Sequence, residues 1–343
     1  MFPEISAEPA ACLRGRGLLL ESLTAGFARY PVLRVVVRRL ALAIPLLFVV
    51  SALSFLLVSL TPGDAAQQIL GPDASPEAYS SLRHELGLDK PLYGQYWQWV
   101  SHAVKGDLAS SVITGEHVSK TIGDRLPVTL SLVLGSLLVT TLLGIGLGVF
   151  SAVRGGVPGR IVDGLSLVGF ALPGFWVGAV LISVFAVSVR WFPAVGYVPF
   201  AESPSQWLRS LVLPVTALAL HSVAVLAKQT REAMLDVLGS EHIRMAHASG
   251  IPPRFIFLLA LKNAAIRVVT IVGLQTVGLL GGTLFVEQVF ALPGLGYSLV
   301  NGTLQHDLPV VQGITVFFTV IIVVVNLMVD LAYTWLDPRV RTS

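Results

Sequence analysis

The sequence predicts an all-α, polytopic membrane protein with six transmembrane helices, and three observations predict it. Apolar residues make up 54% of the 343 positions and charged residues only 13%, about half the charged share of a soluble globular domain. The apolar residues gather into six runs of roughly the 20 residues that a helix needs to cross hydrocarbon with its backbone paired internally. The 23 Lys and Arg residues lie almost entirely on the flanks of those runs. This composition excludes disorder and a coiled coil. It also explains the net charge of +3 as membrane orientation, with no nucleic-acid partner implied.

The first run is Leu40 to Leu60, ended by Thr61-Pro62-Gly63-Asp64. It is too long for a signal peptide, no small-residue cleavage site follows, and more than 30 residues precede it. The second covers Leu126 to Phe150 and the third Gly164 to Val189. The fourth, Leu211 to Ala227, carries Pro214 in its first turn, where the missing N–H costs little. The fifth is Ala264 to Phe285 and the sixth Val310 to Leu331. Six crossings put both termini on one side. That side carries 15 Lys and Arg residues against seven opposite, with Arg267 inside the fifth run, so it is expected to be cytoplasmic.

Between the runs, residues 1–33 form a polar extension that precedes a membrane domain over 34–343. Residues 61–125 make a long external segment with eight acids against five bases. In it, Pro76 to Leu86 reads as a short helix stopped by Gly87. A second helical pattern carries Tyr93, Tyr96, Trp97 and Trp99; it suits a helix lying at the membrane interface, with ligand stacking the alternative. Residues 286–309 form an external loop. Its stretch Glu287 to Tyr297 is apolar, broken by Pro293, Gly294 and Gly296, and free of Lys and Arg, which suits a re-entrant segment at a pore mouth.

The cytoplasmic loop 228–262 is the most informative. Gly239-Ser240 breaks the fourth helix. Glu241 to Ser249 reads as a short helix with Ser240 as N-cap and Gly250 in the left-handed closing position, and Pro252-Pro253 prevents direct continuation. Such a helix is either a connector or a docking element for a soluble partner.

No GxxxxGK[ST] loop or HExxH motif occurs, and the single Cys12 supplies neither a disulfide nor a metal cluster. Gly144, Gly146 and Gly148 lie in an apolar run, where they read as close helix packing. Asp163 and Asp330 are expected at cytoplasmic ends, exposed or paired with Arg160 and Arg339, and Arg267 is near enough to its end to snorkel. Asn263, Gln275 and Asn326 are candidates for bonds between helices, and His221 for such a bond or for substrate contact. No acid sits at mid-membrane to make a proton relay.

The run Glu241-His242-Ile243-Arg244-Met245-Ala246-His247-Ala248-Ser249-Gly250, with Arg254 and Leu261-Lys262-Asn263-Ala264, resembles the cytoplasmic signature loop of binding-protein-dependent ABC importer permeases. More narrowly it is similar to the first permease subunit of the oligopeptide/dipeptide family, which includes nickel and glutathione importers. The ordered series of Arg38-Arg39, Pro62-Gly63-Asp64, Leu86 to Leu92, Gly106-Asp107-Leu108, Arg125 to Leu130, Gly281-Gly282, Glu287 to Gly296, Asp307 to Gly313 and Leu336-Asp337-Pro338-Arg339 agrees with it. Arg244-Met245-Ala246 stands where the general signature has Glu-Ala-Ala, a departure that fits the peptide branch. Residues 1–33 exceed the family's usual short start.

The resemblance implies a type I ABC importer permease fold in the bacterial inner membrane and a chain that is not itself an enzyme. It implies a second permease, two ATPase domains or subunits that bind the ATP and Mg, and an extracytoplasmic binding protein delivering di- or oligopeptide. Ser240, Glu241, His242, Arg244, Ala246, Gly250 and Arg254 are then expected to couple to the ATPases. Glu287, Pro293, Gly294 and Gly296 are expected to form the translocation path or outer gate.

Overall fold

The computed structural model describes residues 31–336. The extension up to residue 30, with Cys12, and the tail carrying Arg339 and Arg341 lie outside the described residues. The architecture is all-α. Five helices are long and apolar enough to cross a membrane: α1 (Pro31–Leu60), α5 (Val118–Arg154), α8 (Pro204–Leu238), α10 (Pro253–Val289) and α12 (Leu308–Leu336). Between α1 and α5, α2 (Ala65–Leu70), α3 (Pro76–Glu85) and α4 (Leu92–Ala103) are short, as are α9 (Glu241–Ala248) and α11 (Leu295–Leu304) elsewhere.

The third expected crossing is not one straight helix. It is α6 (Gly156–Ala171) followed by α7 (Gly174–Leu181), which continues through a π-helical turn to Ser188, and the two arms are bent by 96°. Leu172 is extended, at φ −88° and ψ 122°, because a following proline disfavours the helical region. The chain makes six crossings when this bent pair is counted as one.

Small residues set the closest approach, between α5 and α8. A Cβ on Gly148 would stand 2.6 Å from the Ala227 carbonyl oxygen, and one on Gly144 2.8 Å from Leu226; both glycines are buried, whereas Gly146 faces open space. Backbones approach this closely only where side chains are absent. The central core gathers Leu132, Leu213, Ala217, Leu279, Val286 and Phe290.

Ion pairs tie the helix ends; Arg339, the partner expected for Asp330, lies outside the described residues. Asp330 pairs with Arg39, joining the last crossing to the first. Asp163 pairs with Arg231 at 3.2 Å in place of Arg160, and Arg267 meets Asp236 at 2.6 Å. These partners lie on other helices, so spacing along the chain does not reveal them. His221 Nδ1 lies 3.3 Å from the Gly169 carbonyl oxygen, an interhelical contact, and its ring stacks near Phe170. Gln275 Nε2 donates across helices to the Ser222 carbonyl at 3.4 Å; Asn263 bonds only within its own helix, to Leu259.

The segment between α1 and α5 folds back on the bundle. Ser75 Oγ accepts from Ala78 N at 3.2 Å and starts α3, and Gly87 at φ +67° follows its end. Asp64 caps α2 through Gln67 N and accepts from the Tyr79 hydroxyl at 2.6 Å; the neighbouring carboxylate raises the Tyr79 phenol above its ordinary pKa. On α4, Tyr96 is buried, its hydroxyl 2.9 Å from Ser51 Oγ and its ring against Phe48 and Phe55 of α1, while Tyr93 and Trp97 stay exposed.

Candidate functional site

One end of the bundle is built around α9. The eight-residue helix begins three residues after α8 ends, and Gly250 adopts φ +74° two residues beyond its last residue. Gly250 N donates to His247 O at 3.0 Å and Ile251 N to Ala246 O at 3.2 Å, which closes the helix with a reversal of the chain. Pro252 is extended, and its carbonyl accepts from Phe255 and Ile256 as α10 begins at Pro253, a first-turn position at which proline is pre-organised. One face of α9 is fastened: Ile243 and Ala246 are buried with Ile256 and are packed by Val237. The other face presents Glu241, His242, Arg244, Met245 and His247, all exposed, with Met245 at 70%.

Ser240 occupies the N-cap position, but its side chain makes no capping bond. Its hydroxyl donates backwards to Val237 O at 2.5 Å, so α9 is oriented by the turn and by apolar contact rather than by a hydroxyl cap. Of the residues expected to couple, Glu241, His242, Arg244 and Arg254 are exposed, Gly250 supplies backbone geometry, and Ala246 packs inward. Arg254 lies over the Phe255 ring at 4.9 Å.

At the opposite end, the last turn of α10 carries Glu287, whose side chain is wholly buried. Its carboxylate accepts from Thr129 Oγ1 at 2.7 Å and from Tyr297 N at 2.9 Å. The Thr129 hydroxyl in turn accepts from Leu295 N at 2.8 Å. A carboxylate borrowed from α10 thereby satisfies N–H groups in the first turn of α11, where an anion also suits the helix dipole. Gly294 and Gly296 leave the necessary room. A Cβ on Gly294 would overlap the carboxylate, and one on Gly296 would lie 2.9 Å from Leu284 Cα.

Phe290, Leu292 and Leu295 bury the connecting turn. Of the four residues expected at the outer gate, Glu287, Gly294 and Gly296 are therefore interior, and only Pro293 is exposed. Thr129 is the member that sequence reasoning missed. It stands in the Arg125-to-Leu130 run, but its bond to Glu287 spans 158 positions. Among the described residues, no group of three or more His, Cys, Asp and Glu side chains is placed to hold a metal.

The architecture defines a class: a polytopic helical membrane protein with a braced surface helix at one end and a locked helical loop at the other. Two family models match, the binding-protein-dependent transport system inner membrane component over residues 144–342 and the N-terminal region of such a membrane component over residues 32–133. The chain belongs to this family. A protein of Brucella abortus (strain 2308) whose given name places it in a peptide transport system as permease is 43% identical over 308 residues, covering 89% of this chain and 98% of the relative. The glutathione transport system permease protein of Escherichia coli (strain K12) is 39% identical over 311 residues, covering 90% of this chain and 99% of that one. The chain is thus a membrane permease subunit of an ABC importer related to peptide and glutathione transport systems, and a non-catalytic one.

Proposed function

We propose that this permease imports di- or oligopeptides across a bacterial inner membrane and couples to ATPase subunits through α9. The observation that carries the coupling role is the division of α9 into a face fixed by Ile243 and Ala246 and a face of exposed charged and polar residues. A short helix fixed at both ends moves as a unit when pushed, so displacement of an ATPase surface reaches α8 and α10 directly. Ser240, Glu241, His242, Arg244, Ala246, Gly250 and Arg254 form this element, the exposed side chains as contacts and the rest as its frame. Two ATPase subunits would bind the ATP and Mg, a second permease would complete the path, and an extracytoplasmic binding protein would deliver substrate. Their cycle shifts the pair between inward- and outward-open states.

Both termini are then cytoplasmic, which the basic-residue excess at the α9 end favours. Glu287, Pro293, Gly294 and Gly296 form the outer gate in this reading, with the carboxylate holding α11 in place and Pro293 at its surface. The relatives favour two substrates, because one is named for peptide transport and another for glutathione. Deleting the chain and measuring accumulation of labelled dipeptide and labelled glutathione separates them. Loss of dipeptide uptake supports the peptide reading, loss of glutathione uptake alone assigns the chain to glutathione, and normal uptake of both rejects import of either.

A further inference from the structure

Among the described residues, one face of α4 is left largely uncovered. At about 100° per residue, Tyr93, Tyr96, Trp97, Val100 and the C-cap Val104 fall on one side of the helix, and Gln95, Gln98 and His102 on the other. Tyr96 turns to α1, but Tyr93 is 73%, Trp97 56% and Val104 83% exposed. Large apolar side chains exposed together on one stripe mark a surface that meets a protein or a membrane. Gln98 and His102 on the polar side are exposed as well, so the helix is amphipathic towards two different surroundings.

Continuity, depth and composition all select the membrane. The stripe runs onto α1, which is long and apolar enough to span the bilayer: the Trp97 ring lies 6.1 Å from that of Phe48, itself 47% exposed. Tyr96 meets α1 at Ser51 and Phe55, nine and five residues before the span ends at Leu60, roughly 14 and 8 Å along its axis. The shallower contact coincides with the roughly 5–10 Å to which an interfacial helix buries its apolar face. Tyr and Trp, with an apolar body and a polar edge, favour that level. Lys90 and Lys105 flank α4, where long side chains reach phosphate with their stems on apolar surface. Lys105 is exposed and belongs to no ion pair among the described residues.

We propose that α4 is an interfacial helix, with Tyr93, Trp97, Val100 and Val104 seated at the boundary between phospholipid headgroups and acyl chains and with Lys90 and Lys105 at the phosphates. Its polar side faces water. Tyr96 joins this anchor to α1, so the segment between α1 and α5 is held at a fixed height against the bilayer. The inference goes beyond import: it needs α1 to cross the membrane, and neither the substrate nor the direction of transport enters it.

The test uses the complete permease complex in nanodiscs of phosphatidylcholine and phosphatidylglycerol. With Cys12 replaced, a nitrobenzoxadiazole label is placed on a single cysteine, Tyr93→Cys, Trp97→Cys, Val104→Cys or His102→Cys. A lipid nitroxide near the headgroup end of the acyl chain should quench the labels at 93, 97 and 104 severalfold more than one at the methyl end. Aqueous iodide should quench the label at 102 severalfold more than those three. Benzoylphenylalanine in place of Trp97, which adds no charge, should photo-crosslink to phospholipid, read by mass spectrometry. Iodide quenching at all four positions puts α4 in water and overturns the proposal. Shielding of 93, 97 and 104 from both quenchers, with adducts of position 97 on a second permease or a binding protein, makes the stripe a protein interface and overturns it equally.

Discussion

The two ends of the bundle each hold a short helix against α10, but by different physics. At the end proposed to be inner, α9 is placed by backbone devices, a left-handed Gly250 and the Pro252-Pro253 pair, and by two buried apolar side chains. Its polar residues are left outward. At the end proposed to be outer, α11 is placed by side-chain hydrogen bonds that are themselves buried, with Glu287 and Thr129 serving its first turn. A helix held by its backbone keeps its side chains available for another molecule. A helix held by a buried carboxylate has spent that group internally, and its attachment breaks all at once if the group is lost. The α9 end leaves polar side chains free for contact, and the α11 end keeps its polar groups within the fold.

The largest effect breaks or upholds the assignment of the ends to opposite sides of the membrane. With Cys12 replaced, a cysteine introduced at exposed Ser101 or Ser205 should react with an impermeant thiol reagent in intact cells. One at exposed Ser249, just after α9, should react only after the membrane is opened. Labelling of the Ser249 position from outside would reverse the topology and remove α9 from reach of any ATPase.

Next in size is loss of the outer lock. Glu287→Ala leaves the Thr129 hydroxyl and the Tyr297 N–H without their buried acceptor, at a cost of about 1–3 kcal/mol for each stranded group. The solubilised complex should lose thermal stability by a corresponding margin, and Glu287→Gln, which keeps the shape and one acceptor, by less. Gly294→Ala should resemble Glu287→Ala because its methyl group takes the carboxylate's place. Wild-type melting in Glu287→Ala would show that α11 is held by apolar contact, as α9 is, and the contrast between the ends would disappear.

At the inner end a backbone change should act without unfolding. Nothing lies within 4 Å of a Cβ on Gly250, so Gly250→Val has space but not conformation. A β-branched residue at φ +74° is strained by about 1–2 kcal/mol. The complex should assemble and bind ATP, while binding-protein-stimulated hydrolysis and uptake in proteoliposomes fall together. Retention of both activities would reduce α9 to a connector.

What could be read from sequence follows the same division. The bounds of α9 were legible because Gly239-Ser240, Gly250 and Pro252-Pro253 act within a few residues. The short helices α3 and α4 were legible for similar local reasons. The Thr129–Glu287 bond was not, nor were the Arg39–Asp330 and Arg231–Asp163 pairs, which join residues 68 to 291 positions apart. The bend in the third crossing left a signal in Pro173-Gly174, but an apolar run reports burial and not backbone direction, so a continuous span was the natural reading. The glycines at 144 and 148 were correctly read as packing residues. Only the structure showed that Gly146 faces away.

The smallest expected effect sharpens how α9 is held. From sequence, Ser240 is a helix N-cap, and replacing a capping serine by alanine ordinarily costs about 1 kcal/mol. The structure gives its hydroxyl to Val237 O, in the preceding turn, and leaves the first N–H groups of α9 without a side-chain acceptor. Ser240→Ala therefore removes a bond that closes the end of α8, not one that starts α9. A partly exposed neutral hydrogen bond of this kind contributes about 0.5–1 kcal/mol at most. Stimulated ATPase activity and uptake should stay near wild type, in contrast with Gly250→Val, and hydrogen exchange should rise at Gly239 and Ser240 but not at Arg244 or Met245. If exchange instead rises across Glu241 to Met245 and coupling falls, the hydroxyl caps α9 during the transport cycle and the inner end, too, depends on a side-chain lock.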